Sequence, residues 1–244
     1  MKKSTRMTEG ARTNHTGMST SSHAEAMNQV PKMTQPSRDN GGLRQTHASY
    51  LRDAHTLGTV PPPSSAKGAG KAALQAIKGN KAIALVDKTA ERLAFERTGV
   101  RLYDALLDKM DASSGFSGGP SMADVQTIRD EELQHALMLK ETLEQLGADP
   151  TAITPSADLV AVEGMGLGAV LGDPRTTVGQ CLHAIIVAEL ADNEGWTMLR
   201  TLAEEMGQKQ LATRFEQAEQ QEQRHLAQVR SWLTAHTQAE AQIG

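Results

Sequence analysis

The stretch RDEELQHALMLK, which starts at Arg129, shares a motif with a second stretch, QQEQRHLAQVRS, which starts at Gln220. Each contains Glu-x-x-His, in a chain that has only eight histidines. Residues three apart lie on one face of a helix, about one turn from each other. Both stretches are therefore predicted to be helices that present a carboxylate and an imidazole together. The pairs are Glu132 with His135 and Glu222 with His225.

Apolar residues recur at alternating steps of three and four in four segments after about Lys81, which predicts four helices that pack along their apolar seams. Each seam is apolar at both ends and acidic in the middle, so the motif residues are predicted to point inward. The polar residues in the middle of the seams are Glu96 in the first, Glu132 and His135 in the second, Glu189 and Asp192 in the third, and Glu222 and His225 in the fourth.

Helix-end signals divide these segments. Ser121 is an expected N-cap, Gly147 an expected C-cap, Thr177 with Gln180 resembles a capping box, and Gly207 separates the last two helices. The middle link is long, 28 residues (148–175), and the other two are short. Short links join antiparallel neighbours, and a long one can cross the bundle. The prediction is an all-α fold over 81–236, a four-helix bundle with one long crossover between helices 2 and 3.

Residues 1–80 differ from the rest in charge and composition. They carry 11 Lys/Arg against 4 Asp/Glu, are rich in Ser, Thr, Gly and Pro, and show no hydrophobic period. They are predicted to be a disordered basic tail and linker. No apolar run follows the charged N-terminus, none approaches the ~20 residues of a membrane span, and the single Cys181 excludes an internal disulfide framework. The expected location is cytoplasmic, with no membrane.

The inward glutamates predict a metal pair. An ionised carboxylate in an apolar interior costs several kcal/mol unless it is paired or binds a metal, and no lysine or arginine stands on the seams. Two divalent cations would neutralise four carboxylates. Carboxylate with imidazole suits iron or manganese, and zinc less specifically. The predicted ligands are Glu96, Glu132, His135, Glu189, Glu222 and His225.

The two halves look like diverged copies of one helical hairpin. Tyr103 follows Glu96 by seven residues, and Trp196 follows Glu189 by seven. Tyr103 is a candidate to support the ligands, although core packing is the commoner role of such a residue. Asp192 either holds the free N–H of a ligand histidine or faces the bundle edge. Three glutamates off the seams are predicted to be solvated: Glu131, Glu194 and Glu219.

From about Lys81 to Ala235, about two thirds of the chain, the sequence resembles the ferritin-like diiron carboxylate superfamily, especially rubrerythrin-like and bacterioferritin-like domains. The resemblance is carried by AFERTGVRLYDAL around Glu96, EELQHA, IVAELADNEGW around Glu189, and EQRHLA. It implies a metal pair that reacts with O2 or hydrogen peroxide. A single cysteine excludes the four-cysteine rubredoxin domain of full rubrerythrins, and the absence of a lengthened fifth helix after residue 236 does not favour the cage-forming ferritins.

The expected function is that of an oxidoreductase with two Fe ions, of ferroxidase or peroxidase type, with manganese as the alternative metal. Manganese catalases and diiron hydroxylases share the ligand set and stay open, and so does a homo-oligomer. One rival is a metal-binding or iron-handling bundle with little turnover. Another is a nucleic-acid-associated protein whose basic tail contacts phosphates.

Overall fold

The computed structural model describes residues 41–54, residue 60 and residues 80–242. Within these ranges the chain forms α-helices and no strand, which confirms the all-α class. The helices are α1 (Gly41–Asp53), α2 (Asn80–Asp111), α3 (Met122–Leu146), α4 (Pro155–Gly172), α5 (Val178–Glu205) and α6 (Lys209–Gln242).

Helix α1 belongs to a separate unit of the chain, Met1–His55, and lies within the region predicted as a disordered tail. Most of residues 1–80 fall outside the described residues. The predicted tail, and its contact with nucleic acid, therefore stay predictions.

The predicted helix ends are confirmed. Ser121 and Thr177 each accept a hydrogen bond from the backbone N–H three residues on and complete a capping box. This arrangement satisfies two of the backbone donors that a helix N-terminus leaves free. Gly147 and Gly207 have φ of 85° and 68°, in the left-handed region that glycine adopts without strain.

The long link contains a helix that the periodicity did not predict. Helix α4 is apolar or small on nearly every side, with Asp158 and Glu163 as its charged residues, so it shows no amphipathic pattern. Its start is nevertheless signalled: Thr154 caps it and Pro155 takes the first helical position. Gly164 allows close packing on α2, because a Cβ there would lie 3.3 Å from Cγ2 of Thr98.

Contacts along α2 fix the direction of its neighbours. Lys81 near its start lies 3.7 Å from Glu205 at the end of α5. Lys109 near its end donates at 2.9 Å to Thr176, which lies just before α5. Helices α2 and α5 therefore run antiparallel.

Helix α3 is antiparallel to α2 in the same way. Asp104 accepts from Arg129 at 2.8 Å, and Gly99, earlier in α2, lies against Glu132, later in α3. Helices α3 and α5 consequently point in the same direction. Helix α6 packs against both α3 and α5.

Two apolar clusters fill the interior, one on each side of a polar layer. One cluster includes Leu102, Leu106, Ile128, Leu182 and Val229, and the other includes Leu85, Leu93, Leu139, Leu199 and Phe215. Burying each large apolar side chain stabilises the fold by about 1.5–3 kcal/mol, which offsets the cost of burying the polar layer. The predicted seams, apolar at their ends and acidic in the middle, are confirmed.

Among the described residues, no helix has a stretch long and apolar enough to cross a membrane.

Candidate metal centre

The six predicted ligands lie together in the polar layer, and each is between 0% and 3% exposed. Their donor atoms form three overlapping groups in which all atoms lie within 4.8 Å of one another. The groups are Glu132, Glu189, Glu222 and His225; Glu96, His135 and Glu222; and Glu96, Glu132, Asp192 and Glu222. This buried Glu/His cluster could hold a metal ion.

Helix geometry brings these side chains together. Helices α3 and α6 each contribute the pair three residues apart, so one face of each helix offers a carboxylate and an imidazole. Helices α2 and α5 contribute one glutamate each, Glu96 and Glu189, from mid-helix. Glu222 belongs to all three groups of donor atoms, which places it at the centre of the cluster.

Several buried donor atoms have no hydrogen-bond partner among the described residues: Oε2 of Glu96, Nδ1 of His135, Oε2 of Glu189 and Oε1 of Glu222. Nδ1 of His135 lies 2.7 Å from Oε1 of Glu222 and 3.5 Å from Oε2 of Glu96, without hydrogen-bond geometry. Ligands that bind one cation at ~2.1 Å are about 3 Å apart when they are neighbours in its coordination sphere. Unpartnered donors at this separation fit a divalent cation.

In both histidines the ring nitrogen Nε2, on the side away from the carboxylate cluster, makes a hydrogen bond. Nε2 of His225 lies 2.6 Å from Oε2 of Glu131, and Nε2 of His135 lies 3.0 Å from Oε1 of Gln221. Because both partners are acceptors, each Nε2 donates, so in the neutral imidazole the lone pair is on Nδ1, the nitrogen that faces the carboxylates. Metal-binding histidines are commonly oriented in this way.

The prediction that Glu131 is solvated was wrong. It is half-buried and binds His225 of the opposite helix, and it has the same position in its motif as Gln221, four residues before the histidine of its own helix. Glu219 is also not solvated, since it is 8% exposed and accepts from Thr197. This hydrogen bond joins Glu219 on α6 to Thr197 on α5, outside the cluster.

Arg92 enters the interior, although no arginine stands on a seam. It is 3% exposed and forms an ion pair with Asp192. Gly195 provides the space, because a Cβ there would overlap the guanidinium. Asp192 therefore neither holds a histidine nor faces the edge: it lies in the cluster, paired with a cation. Arg92 offsets its charge, so the carboxylates of the cluster without a cationic partner are those of the four glutamates.

Tyr103 and Trp196 each support the glutamate of the other hairpin. The Tyr103 hydroxyl donates to Oε1 of Glu189, and the indole N–H of Trp196 donates to Oε1 of Glu96 at 2.8 Å. The internal repeat thus has a physical meaning, since the residue seven positions after each glutamate orients the glutamate of the opposite helix. In each of these carboxylates the other oxygen, Oε2, is left unpartnered.

Without metal, the cluster binds protons. Burial and neighbouring carboxylates raise the pKa of Glu132 well above its usual range, and the same two causes raise the pKa of Glu189 to about 8. Burial alone would lower the pKa of His135, but the nearby carboxylates of Glu222 and Glu96 raise it to about 11. Divalent cations would replace these protons, so metal binding and proton release are coupled.

Comparison with family models, with curated proteins and with solved structures found no match to this chain. The geometry of the buried cluster therefore carries the functional argument.

The Gly99→Ala variant is expected to weaken metal binding by about 10-fold or more. A Cβ at Gly99 would overlap Oε2 of Glu132 and lie 3.0 Å from its Cδ, so the carboxylate must leave its present position among the other donors. Displacing a buried side chain by an added methyl costs about 1–3 kcal/mol, which is roughly 5- to 150-fold in an equilibrium constant. Calorimetric titration with Mn(II) measures the effect.

Gly166→Ala is the matched control, because Gly166 is helical and a Cβ there meets nothing within 4 Å. Alanine is a better helix former than glycine by about 1 kcal/mol, so this variant should keep its Mn(II) affinity and melt no lower than the wild type. Equal affinities in the two variants would show that Gly99 does not make room for a ligand.

Proposed function

We propose that helices α2, α3, α5 and α6 form a ferritin-like four-helix bundle that binds two iron ions and reduces O2 or hydrogen peroxide. Helix α4 lies in the crossover between α3 and α5. The observation that carries the proposal is the convergence of two imidazole Nδ1 atoms on the carboxylate of Glu222, in a buried layer where one oxygen each of Glu96, Glu189 and Glu222 has no hydrogen-bond partner. Neither a core histidine nor a solvated glutamate accounts for this arrangement.

The donor set favours iron or manganese. It consists of four glutamates and two histidines, hard oxygen donors with borderline nitrogen donors, and it contains no thiolate. With Arg92 and Asp192 paired, the carboxylates carry four negative charges, and two divalent cations would make the layer neutral. A neutral buried layer avoids the several kcal/mol that each uncompensated ion would cost.

The protein's own residues would position and shield the reaction. The six ligands would hold two ferrous ions, which would supply one electron each. With two protons, these two electrons reduce hydrogen peroxide to two molecules of water. Tyr103 and Trp196 would keep the carboxylates of Glu189 and Glu96 oriented, and Glu131 and Gln221 would keep the histidines in the tautomer that can bind a metal. The flanking apolar clusters limit access of water.

A metal-binding protein with little turnover is the second candidate, and one observation favours it. All six ligands are at most 3% exposed, whereas catalysis requires that an oxidant reach the metals.

One experiment separates these functions. The protein is loaded with Fe(II) under anaerobic conditions, desalted and analysed for iron, and two iron ions per chain are expected. Addition of one equivalent of hydrogen peroxide per two iron ions should then oxidise both, faster than it oxidises iron in buffer.

Retention of less than one iron per chain would rule out the dinuclear site. Two iron ions that are oxidised no faster than iron in buffer would instead select the binding protein. Glu216→Gln, an exposed position on α6, is the control that should leave both results unchanged.

A further inference from the structure

The two histidines of the cluster are held by chemically different partners at equivalent positions. Glu131 and Gln221 each lie one residue before the glutamate of a Glu-x-x-His motif, and each binds the histidine of the opposite helix. The hydrogen-bond partner of Nε2 is therefore a carboxylate for His225 and an amide for His135. Nothing in the internal repeat requires this difference.

The two partners are also bonded to each other. Nε2 of Gln221 donates to Oε1 of Glu131 at 3.1 Å, while its Oε1 accepts from His135. The amide is thereby fixed in one orientation, since the opposite one would place its NH2 group against the ring N–H. The result is a continuous chain from His135 through Gln221 and Glu131 to His225, at the half-buried edge of α3 and α6.

A carboxylate makes an imidazole a stronger donor than an amide does. A hydrogen bond to an ionised acceptor is roughly twice as strong as one between neutral groups, and it shifts electron density toward the ring nitrogen that binds the metal. The number of neighbouring glutamates also favours metal binding at His225. His225 is grouped with three glutamates, Glu132, Glu189 and Glu222, whereas His135 is grouped with two, Glu96 and Glu222.

We infer that the two metal positions are unequal, that the position at His225 fills first, and that the Glu131–Gln221 pair is a main cause of this order. The inference rests on the proposed dinuclear site. In it, Glu131 and Gln221 are positioning residues that act through the histidines. A stepwise site can hold one metal tightly while the second position exchanges.

The wild-type protein provides the direct test. Crystals grown with one equivalent of Mn(II) per chain should show its anomalous signal at the His225 position, and calorimetric titration should resolve two steps. A first metal at His135, or two positions filled equally at one equivalent, would overturn the inference. This test needs no substitution, so it does not depend on the folding of a variant.

Two variants test the cause. Glu131→Gln should lower the affinity of the first step by about 10-fold or more, the range known when the hydrogen-bond partner of a metal-binding histidine is changed. The affinities of the two steps should then lie closer together. The double variant Glu131→Gln/Gln221→Glu exchanges the two partners while keeping one amide and one carboxylate in contact, and it should shift the first step to the position at His135. Thermal melting of the metal-free variants checks that both are folded.

Asp130→Asn is the matched control, because Asp130 is an exposed neighbour of Glu131 that touches neither histidine. It removes the same charge and should leave the ratio of the two steps unchanged. An equal effect of Asp130→Asn and Glu131→Gln would overturn the inference, since the order would then follow from general charge. A wild type that binds no metal would contradict the proposed function itself, which is a different outcome.

Discussion

The Glu222→Gln variant is expected to lose both metal ions. Glu222 belongs to all three groups of donor atoms, and its two oxygens lie 2.7 Å from Nδ1 of His135 and 3.1 Å from Nδ1 of His225. Its carboxylate would therefore contribute to both proposed metal positions. An amide has no charge to contribute and presents hydrogen-bond donors, so affinity should fall by roughly 100-fold or more, beyond the loss caused by changing a supporting partner.

Elemental analysis of the desalted protein after Fe(II) or Mn(II) loading measures this effect. Glu216→Gln is the control on the same helix, and far-UV circular dichroism verifies that the variant remains helical. If Glu222→Gln retains two metals per chain, Glu222 does not lie between them, and the dinuclear arrangement is wrong.

The sequence predicted the cluster because helical periodicity is strict. A seam read at steps of three and four leaves little freedom about which side chains face inward, and Glu96, Glu132, Glu189 and Glu222 are all buried as expected. The helix ends were predicted from a different local signal, the residues that cap a helix by hydrogen bonds to its free backbone groups, such as Ser121 and Thr177. Which elements form and which face they bury is thus encoded locally.

Residues that act across helices could not be predicted from a seam. Glu131 and Gln221 flank the seams, and their role depends on the distance between α3 and α6. Arg92 also lies beside a seam, and it reaches the interior only because Gly195 on another helix leaves space for its guanidinium. Such contacts join residues about 90 to 100 positions apart, so the helix packing has to be known first.

Helix α4 was missed for a different reason. Its glycines lower helix propensity, and its outward face is apolar, with Val162 and Met165 exposed. Periodicity is informative only when one face is polar. The N-cap Thr154 followed by Pro155 was the remaining signal, and it marks a helix start without indicating a length.

Metal-free protein is expected to lose stability as pH rises from about 5 to 8, whereas Mn(II)-loaded protein is not. The folded-state pKa of Glu189 is raised to about 8 by burial and by Glu222, and that of Glu132 is raised as well. The folded state therefore holds protons that the unfolded state has already released, and stability falls across the interval between the two pKa values.

The histidines act in the same direction. Burial alone would lower the pKa of His225, but Glu222 raises it to about 9, and His135 is raised to about 11. Their contribution is fully present below ~6.5, the pKa of an unfolded histidine, and is lost as pH rises through the folded values. Glu222 opposes this trend at the acid end: burial would raise its pKa, but the two histidines lower it, so its contribution is lost as pH falls below ~4.5.

Bound Mn(II) replaces the protons, so the loaded protein should melt higher, and the gap between the two melting curves should widen with pH. Each kcal/mol moves the melting temperature of a domain of this size by about 2–4 °C, so a widening of ~5 °C or more between pH 5 and 8 is expected. Below about pH 5 protons compete with the metal, and the gap should close.

Glu189→Gln isolates one contributor. In the metal-free state it should flatten the decline between pH 5 and 8, because an amide has no proton to release. Glu194→Gln, an exposed position on the same helix, should leave the decline unchanged. A gap that stays constant with pH, or a decline that Glu189→Gln does not flatten, would show that these carboxylates do not share a buried site, because isolated glutamates would already be ionised at pH 5 in both the folded and the unfolded state.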